Sequence, residues 1–202
     1  FRGQIPNEVF TTEYNPPVTD GTGNAREQLL IAQSLLADAG WTVVDGKLVN
    51  GEGTQMEMEF LFSSSTFERI ASPVIQNMER LGILATQRTV ETAQYQERVQ
   101  TYDYDIVVNT VRQSLSPGNE QRDMWGCEAA DTEGGRNLAG ICDPVVDELI
   151  DLIIAAPDRP TLIALSKVMD RVLQWNYYVI PNWHIRSFRL AYWDKFGRPD
   201  VT

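Results

Sequence analysis

Between residues 25 and 110 helical and strand periodicities alternate, and this alternation restricts the chain to an α/β fold. Residues 25–39 place Leu29, Ile31, Ala32, Leu35, Leu36 and Ala39 near a 3.6-residue period, with Asn24 positioned to cap the helix and Gly40 to end it. Residues 41–49 read as a hairpin turning at Asp45-Gly46. Residues 56–62 alternate Met56, Met58, Phe60 and Phe62, the pattern of a strand with one buried side. A helix over 67–81 that tolerates Pro73, a strand over 83–90 and a short helix over 92–100 follow. DYDIVVNT, residues 103–110, has the β-branched centre Ile106-Val107-Val108 of a central strand. Such alternation predicts a sheet of mixed or parallel strands with helical covers. Ligands of these sheets gather at the carboxyl ends of the strands.

The stretch 114–142, SLSPGNEQRDMWGCEAADTEGGRNLAGIC, keeps neither period. An aperiodic segment of this length inside a compact domain is usually functional or disordered. Trp125, Met124, Leu138 and Ile141 give it apolar anchors, so an ordered binding loop is expected. It also holds both cysteines, Cys127 and Cys142. The pair lacks CxxC spacing, and with a single histidine in the chain it makes a poor zinc site. A disulfide is expected and would imply an oxidising compartment; two unrelated reduced thiols are the alternative.

Beyond the loop, Asp143 and Pro144 open an apolar helix, the run Pro157-Asp158-Arg159-Pro160 breaks it, and Thr161 is expected to cap a further helix to about Trp175. Residues 177–183 and 186–192 read as two extended arms. Residues 1–20 carry Pro6, Pro16 and Pro17 and read as an extended lead-in without a helix. The opening FRGQIPNEVF has neither a basic n-region nor an apolar core, and both ends read as cut, so the chain is expected to be a fragment.

A net charge of −11 argues against a nucleic-acid partner, which requires clustered Lys and Arg. It argues equally against an anionic membrane surface. The catalytic inventory is thin. There is no GxSxG and no HExxH, and His184 is the only histidine. Asp103 and Asp105 place two carboxylates on one face of a strand, a pattern that glycoside chemistry uses but that more often marks solvated edge charges. The binding inventory is richer. Arg112, Gln113, Asn119, Arg122 and Asn137 offer hydrogen bonds, with Arg able to clamp a carboxylate. Trp125 and Trp183, beside His184, offer flat apolar walls. Such a set describes a recognition cleft better than a reaction centre. Any one of these side chains could instead tie the loop to the domain.

The runs REQLLIAQSLLADAGW and LVNGEG resemble the start of the C-terminal lobe of family 5 extracellular solute-binding proteins, the peptide-binding subunits of ABC importers. SLSPGNEQRDMWG, GRNLAGICDPVVDELID and DRVLQWNYYVIPNWH, ending in RLAYWDKFGRP, resemble its oligopeptide/microcin C-type subgroup. The resemblance implies an α/β, periplasmic-binding-protein type II-like lobe: a mixed sheet flanked by helices, with a long ordered loop. Residues 1–202 would be the C-terminal lobe of a two-lobe receptor whose N-terminal lobe is absent, with 1–20 and 188–202 as inter-lobe connections. It further implies a periplasmic monomer that binds a peptide or peptide-like solute and delivers it to an inner-membrane ABC permease, with no catalytic residue, metal or cofactor. On this resemblance Arg112, Asn119 and Trp125 are the leading solute contacts. A secreted hydrolase acting on peptide or glycan is the alternative.

Overall fold

The computed structural model of the chain describes residues 1–184, 187, 191–193, 195 and 197. The expected arm over 186–192 therefore lies largely outside the described residues. Residues 177–183 form no strand.

The chain starts with a short helix, α1 (Glu8–Thr11), where an extended lead-in was expected. Pro6 precedes this helix instead of interrupting it, so the missing N–H costs nothing. Ile5 and Val9 are buried, and Arg171 donates to the carbonyls of Glu8, Val9 and Thr12. Helix α2 (Arg26–Asp38) follows, with Asn24 Oδ1 accepting from the Arg26 N–H at 3.2 Å. Its apolar residues are less covered than their period suggested. Leu30, Ile31 and Leu35 are exposed, and no residue of the helix is buried.

Strands β1 (Thr42–Val44) and β2 (Lys47–Val49) pair antiparallel as a hairpin. Asp45 and Gly46 both have positive φ, 49° and 77°, as a two-residue type I′ turn requires. Strand β3 (Glu57–Phe62) then enters a separate three-stranded sheet. Helix α3 (Glu68–Arg80) leads to β4 (Leu84–Thr89), and α4 (Thr92–Gln100) leads to β5 (Ile106–Val107). The sheet order is β4-β3-β5, and both pairings are parallel. Parallel neighbours and antiparallel hairpin are thus both present, in different sheets. Strand β3 is buried on both faces near its end, with Leu61 0% exposed between Phe60 and Phe62. One buried side was expected; a central parallel strand is covered twice, because each crossover helix lands on a face. Strand β5 is much shorter than the run 103–110 suggested, since it pairs only through Ile106 and Val107.

Gly82 joins the two sheets. Its carbonyl accepts from the Leu48 N–H at 2.8 Å. A Cβ at this position would lie 2.6 Å from that nitrogen, and φ is +84°, so only glycine fits.

After two short helices, α5 (Glu120–Trp125) and α6 (Cys127–Ala130), the chain ends its described helices with α7 (Pro144–Ile154) and α8 (Arg159–Trp175). Asp143 caps α7 as expected, accepting from Val145 N–H at 2.8 Å. Asp158, not Thr161, caps α8: its Oδ1 accepts from the Thr161 N–H at 2.8 Å. Pro160 then falls in the first turn, where its missing N–H is harmless.

Two apolar cores result. One packs Leu48, Phe60, Phe62, Ala71, Ile75, Ile83 and Ala85 under the parallel sheet. The other packs α7 and α8 with α1 and α5 around Val146, Leu149, Ile150 and Val172. Full burial of each such side chain is worth about 1.5–3 kcal/mol, so each core can hold its own elements together. No helix among the described residues is long and apolar enough to cross a membrane.

Candidate functional site

Because β3, β4 and β5 are parallel, their carboxyl ends share one edge. Strand β3 delivers Ser63, Ser64, Ser65 and Thr66 there, β4 delivers Glu91, and β5 delivers Asn109, Thr110 and Arg112. Ser64 Oγ and Thr66 Oγ1 lie 3.0 Å apart, and Asn109 Oδ1 accepts from the Thr110 N–H at 2.8 Å. Arg112 is exposed, and its guanidinium makes no hydrogen bond or ion pair among the described residues. This edge is the candidate site. The sequence signal for this edge is a polar run, Ser63-Ser64-Ser65-Thr66, directly after a parallel strand.

The long stretch leaves this edge and enters the helical core. It is ordered, as expected, but its inner half is built into the fold. Gln121 and Asn137 are the buried polar residues among those described. Gln121 accepts from the Trp125 indole N–H at 3.2 Å and donates to Gln113 Oε1 at 2.8 Å. Trp125 is 9% exposed and Asn137 is 0% exposed. Asn137 Nδ2 donates to the carbonyls of Gly126 at 3.0 Å and Ile141 at 2.8 Å, and its Oδ1 accepts from the Ile141 N–H at 3.0 Å. These bonds leave the Asn137 amide nothing to offer a solute, and Trp125 offers no open wall. Both were expected to be ligand contacts; their places in the core give them structural work instead. Arg122 is likewise engaged, in a 2.5 Å surface ion pair with Asp151.

Asn119 remains exposed at the start of α5, its side chain making no cap. Trp183 and His184 are exposed on the segment after α8, Trp183 at 65%. The expected disulfide joins Cys127 to Cys142. It closes the loop that contains Asn137, and Asp147 of α7 accepts from the Cys127 N–H at 3.0 Å.

The two carboxylates weighed for glycoside chemistry are also engaged. Asp103 receives Arg98 Nε at 2.7 Å, and Asp105 accepts from the Glu59 N–H at 2.8 Å. Arg98 also binds Glu59 at 2.8 Å, so these charges tie α4 to β3 and to the start of β5. Among the described residues no cluster of His, Cys, Asp and Glu is placed to hold a metal ion.

Two phenols stand out electrostatically. Burial, with smaller contributions from Tyr102 and Tyr95, pushes Tyr104 up to about 12. Burial and the adjacent Asp143 carboxylate push Tyr178 up to about 12, and its hydroxyl lies 3.0 Å from Asp143 Oδ2. Neither phenol is a base at neutral pH. Among the described residues this edge presents hydrogen-bonding groups and, in Arg112, a cation without an ion pair, which suits holding a solute.

No protein-family model matches the chain. It is 47% identical over 196 residues to a protein named y4wM of Sinorhizobium fredii, covering 96% of this chain and 30% of that protein. It is 42% identical over 201 residues to "Probable peptide-binding protein YejA" of Agrobacterium fabrum, covering 99% of this chain and 33% of the relative. The chain thus spans about a third of the length of these relatives. Among solved structures it superposes on the oligopeptide-binding protein AppA of Bacillus subtilis in complex with a nonapeptide. The TM-score is 0.66 at 20% identity, over 87% of this chain and 34% of AppA. The chain is therefore a homologue of YejA-type proteins across a third of their length, and its fold is that of a periplasmic-binding-protein lobe.

Proposed function

We propose that residues 1–202 form one lobe of a two-lobe receptor that holds a peptide or peptide-like solute and hands it to an ABC permease in the inner membrane. The observation that carries this reading is the 42% identity, across nearly the whole chain, to a relative named for peptide binding. The fold shared with AppA supports it. In this proposal the solute lies along the carboxyl edge of the sheet, with Arg112 and Asn119 as contacts and Trp183 and His184 flanking them. Closure is a hinge motion that the solute favours by binding the closed state more tightly. Residues 1–20 and 188–202 carry the crossings to the other lobe. The receptor works as a monomer in the periplasm and transforms nothing. Its finer placing among oligopeptide and microcin C-type receptors rests on the strings PGNEQR and RNLAGI.

The experiment is mass spectrometry of small molecules released from the full-length protein after purification. A reproducible set of peptides supports the receptor. Turnover of a chromogenic peptide or glycan substrate, lost in His184→Ala, would replace it with the hydrolase.

A further inference from the structure

A second concavity lies away from the carboxyl edge. Helix α4 starts beyond the carboxyl end of β4 and runs back toward the start of β5, so Gln100 sits at the opposite end of the sheet. Here an open concavity of about 320 Å³ is lined by Tyr95, Gln96, Val99 and Gln100 of α4 and by Gly134 and Gly135 of the disulfide-closed loop. It lies where helix α4 meets the disulfide-closed loop.

The walls are fixed. Gly134 N–H donates to the Gln100 carbonyl at 3.0 Å, and Tyr102 Oη donates to the Thr132 carbonyl at 2.9 Å. A Cβ on Gly135 would lie 2.7 Å from that same Thr132 oxygen, so the loop backbone itself forms the wall. The lining chemistry is selective. In a chain with 28 acidic and 17 basic residues, no charged side chain among the described residues lines this concavity. An ionic ligand would lose hydration there without a counter-charge. Two amides, Gln96 and Gln100, supply donors and acceptors together. Tyr95 supplies a ring face, and burial holds its phenol above the ordinary value, in the neutral form.

We propose that this cavity binds a small neutral saccharide, with one ring lying on Tyr95 and its hydroxyls bonded by Gln96 and Gln100. At the small end of the roughly 300–1,000 Å³ range of ligand pockets, it takes one or two sugar rings. The site is separate from the proposed solute edge.

The test is saturation-transfer NMR on the full-length protein, with N-acetylglucosamine and maltose as neutral probes and acetate and phosphate as anionic ones. Transfer is expected to the sugars alone. Tyr95→Ala should weaken it about tenfold, as loss of an aromatic wall would. Gln96→Ala, at an exposed helix position, should weaken it at unchanged far-UV dichroism and Tm. Arg112→Ala should leave it unchanged. Absence of transfer, transfer insensitive to Tyr95→Ala and Gln96→Ala, or transfer lost in Arg112→Ala overturns the proposal. The last result would move the sugar to the solute edge. Peptide recovery from the purified protein is read independently, so the two sites fail separately.

Discussion

The Tyr104 hydroxyl donates a 2.7 Å hydrogen bond to the Leu138 carbonyl, joining the start of β5 to the disulfide-closed loop. With Tyr102 and the Gly134–Gln100 bond, it ties the sheet core to the helical core. Tyr104→Phe deletes the donor and leaves a partly buried acceptor unpaired. The expected loss is about 1–2 kcal/mol in urea unfolding. A smaller loss, within error of zero, would mean that water replaces the phenol.

The raised phenols predict an alkaline limit. Tyr104 and Tyr178 ionise at about 12 in the folded chain against 10.0 ordinarily. A group whose folded value is raised contributes stability that is fully present below its unfolded value and is lost as pH rises through the folded value. Stability should therefore fall between about pH 10 and 12. Phenolate absorbance should show Tyr104 and Tyr178 titrating near pH 12, with Tyr95 also raised, and the Tyr104→Phe, Tyr178→Phe double variant should lose the part of the late phase near pH 12.

Asn137→Ala separates scaffold from site. Three hydrogen bonds are lost at a fully buried position, and the Ile141 N–H and two carbonyls are left without that partner. A destabilisation of about 3 kcal/mol or more is expected by denaturant unfolding. Asn119→Ala, exposed and uncapped, should change stability by under about 0.5 kcal/mol.

The disulfide should resist alkylation: unreduced, denatured protein should be labelled at neither Cys127 nor Cys142. Closing a loop with a sequence separation of 15, it is expected to contribute about 3 kcal/mol. Comparing unfolding of the wild type with the Cys127→Ser, Cys142→Ser double variant measures this directly. Equal midpoints would remove the disulfide from the stability account.

Arg112→Ala should weaken peptide binding by the full-length protein about tenfold, the loss of one charge-assisted contact, with Tm unchanged. Calorimetric titration with peptides recovered from the protein checks this. An unaltered Kd would place the solute elsewhere.

Local signals settled much of this chain. The Asp45-Gly46 turn, the Asp143 cap and the helix over 92–100 depend on neighbours in sequence, so dihedral preference and side-chain reach were enough. Strand β5 was over-read because β-branched residues report a preference for extended backbone, and pairing needs a partner strand of matching length. Helix α2 forms where its period placed it, but that period shows which face is apolar and not whether anything covers it. Arg112 and Asn119 remained candidates because each side chain is exposed and makes no hydrogen bond or ion pair among the described residues.

What the sequence by itself determined was the alternation of elements, two cysteines placed in one aperiodic stretch, and the start of that stretch at the end of a strand. Only the tertiary structure decided which loop residues face solvent. Tryptophan and asparagine serve equally well as a ligand wall or as a core anchor. The difference lies in what packs around them: Gln121 beside Trp125, and the Gly126 and Ile141 backbone around Asn137.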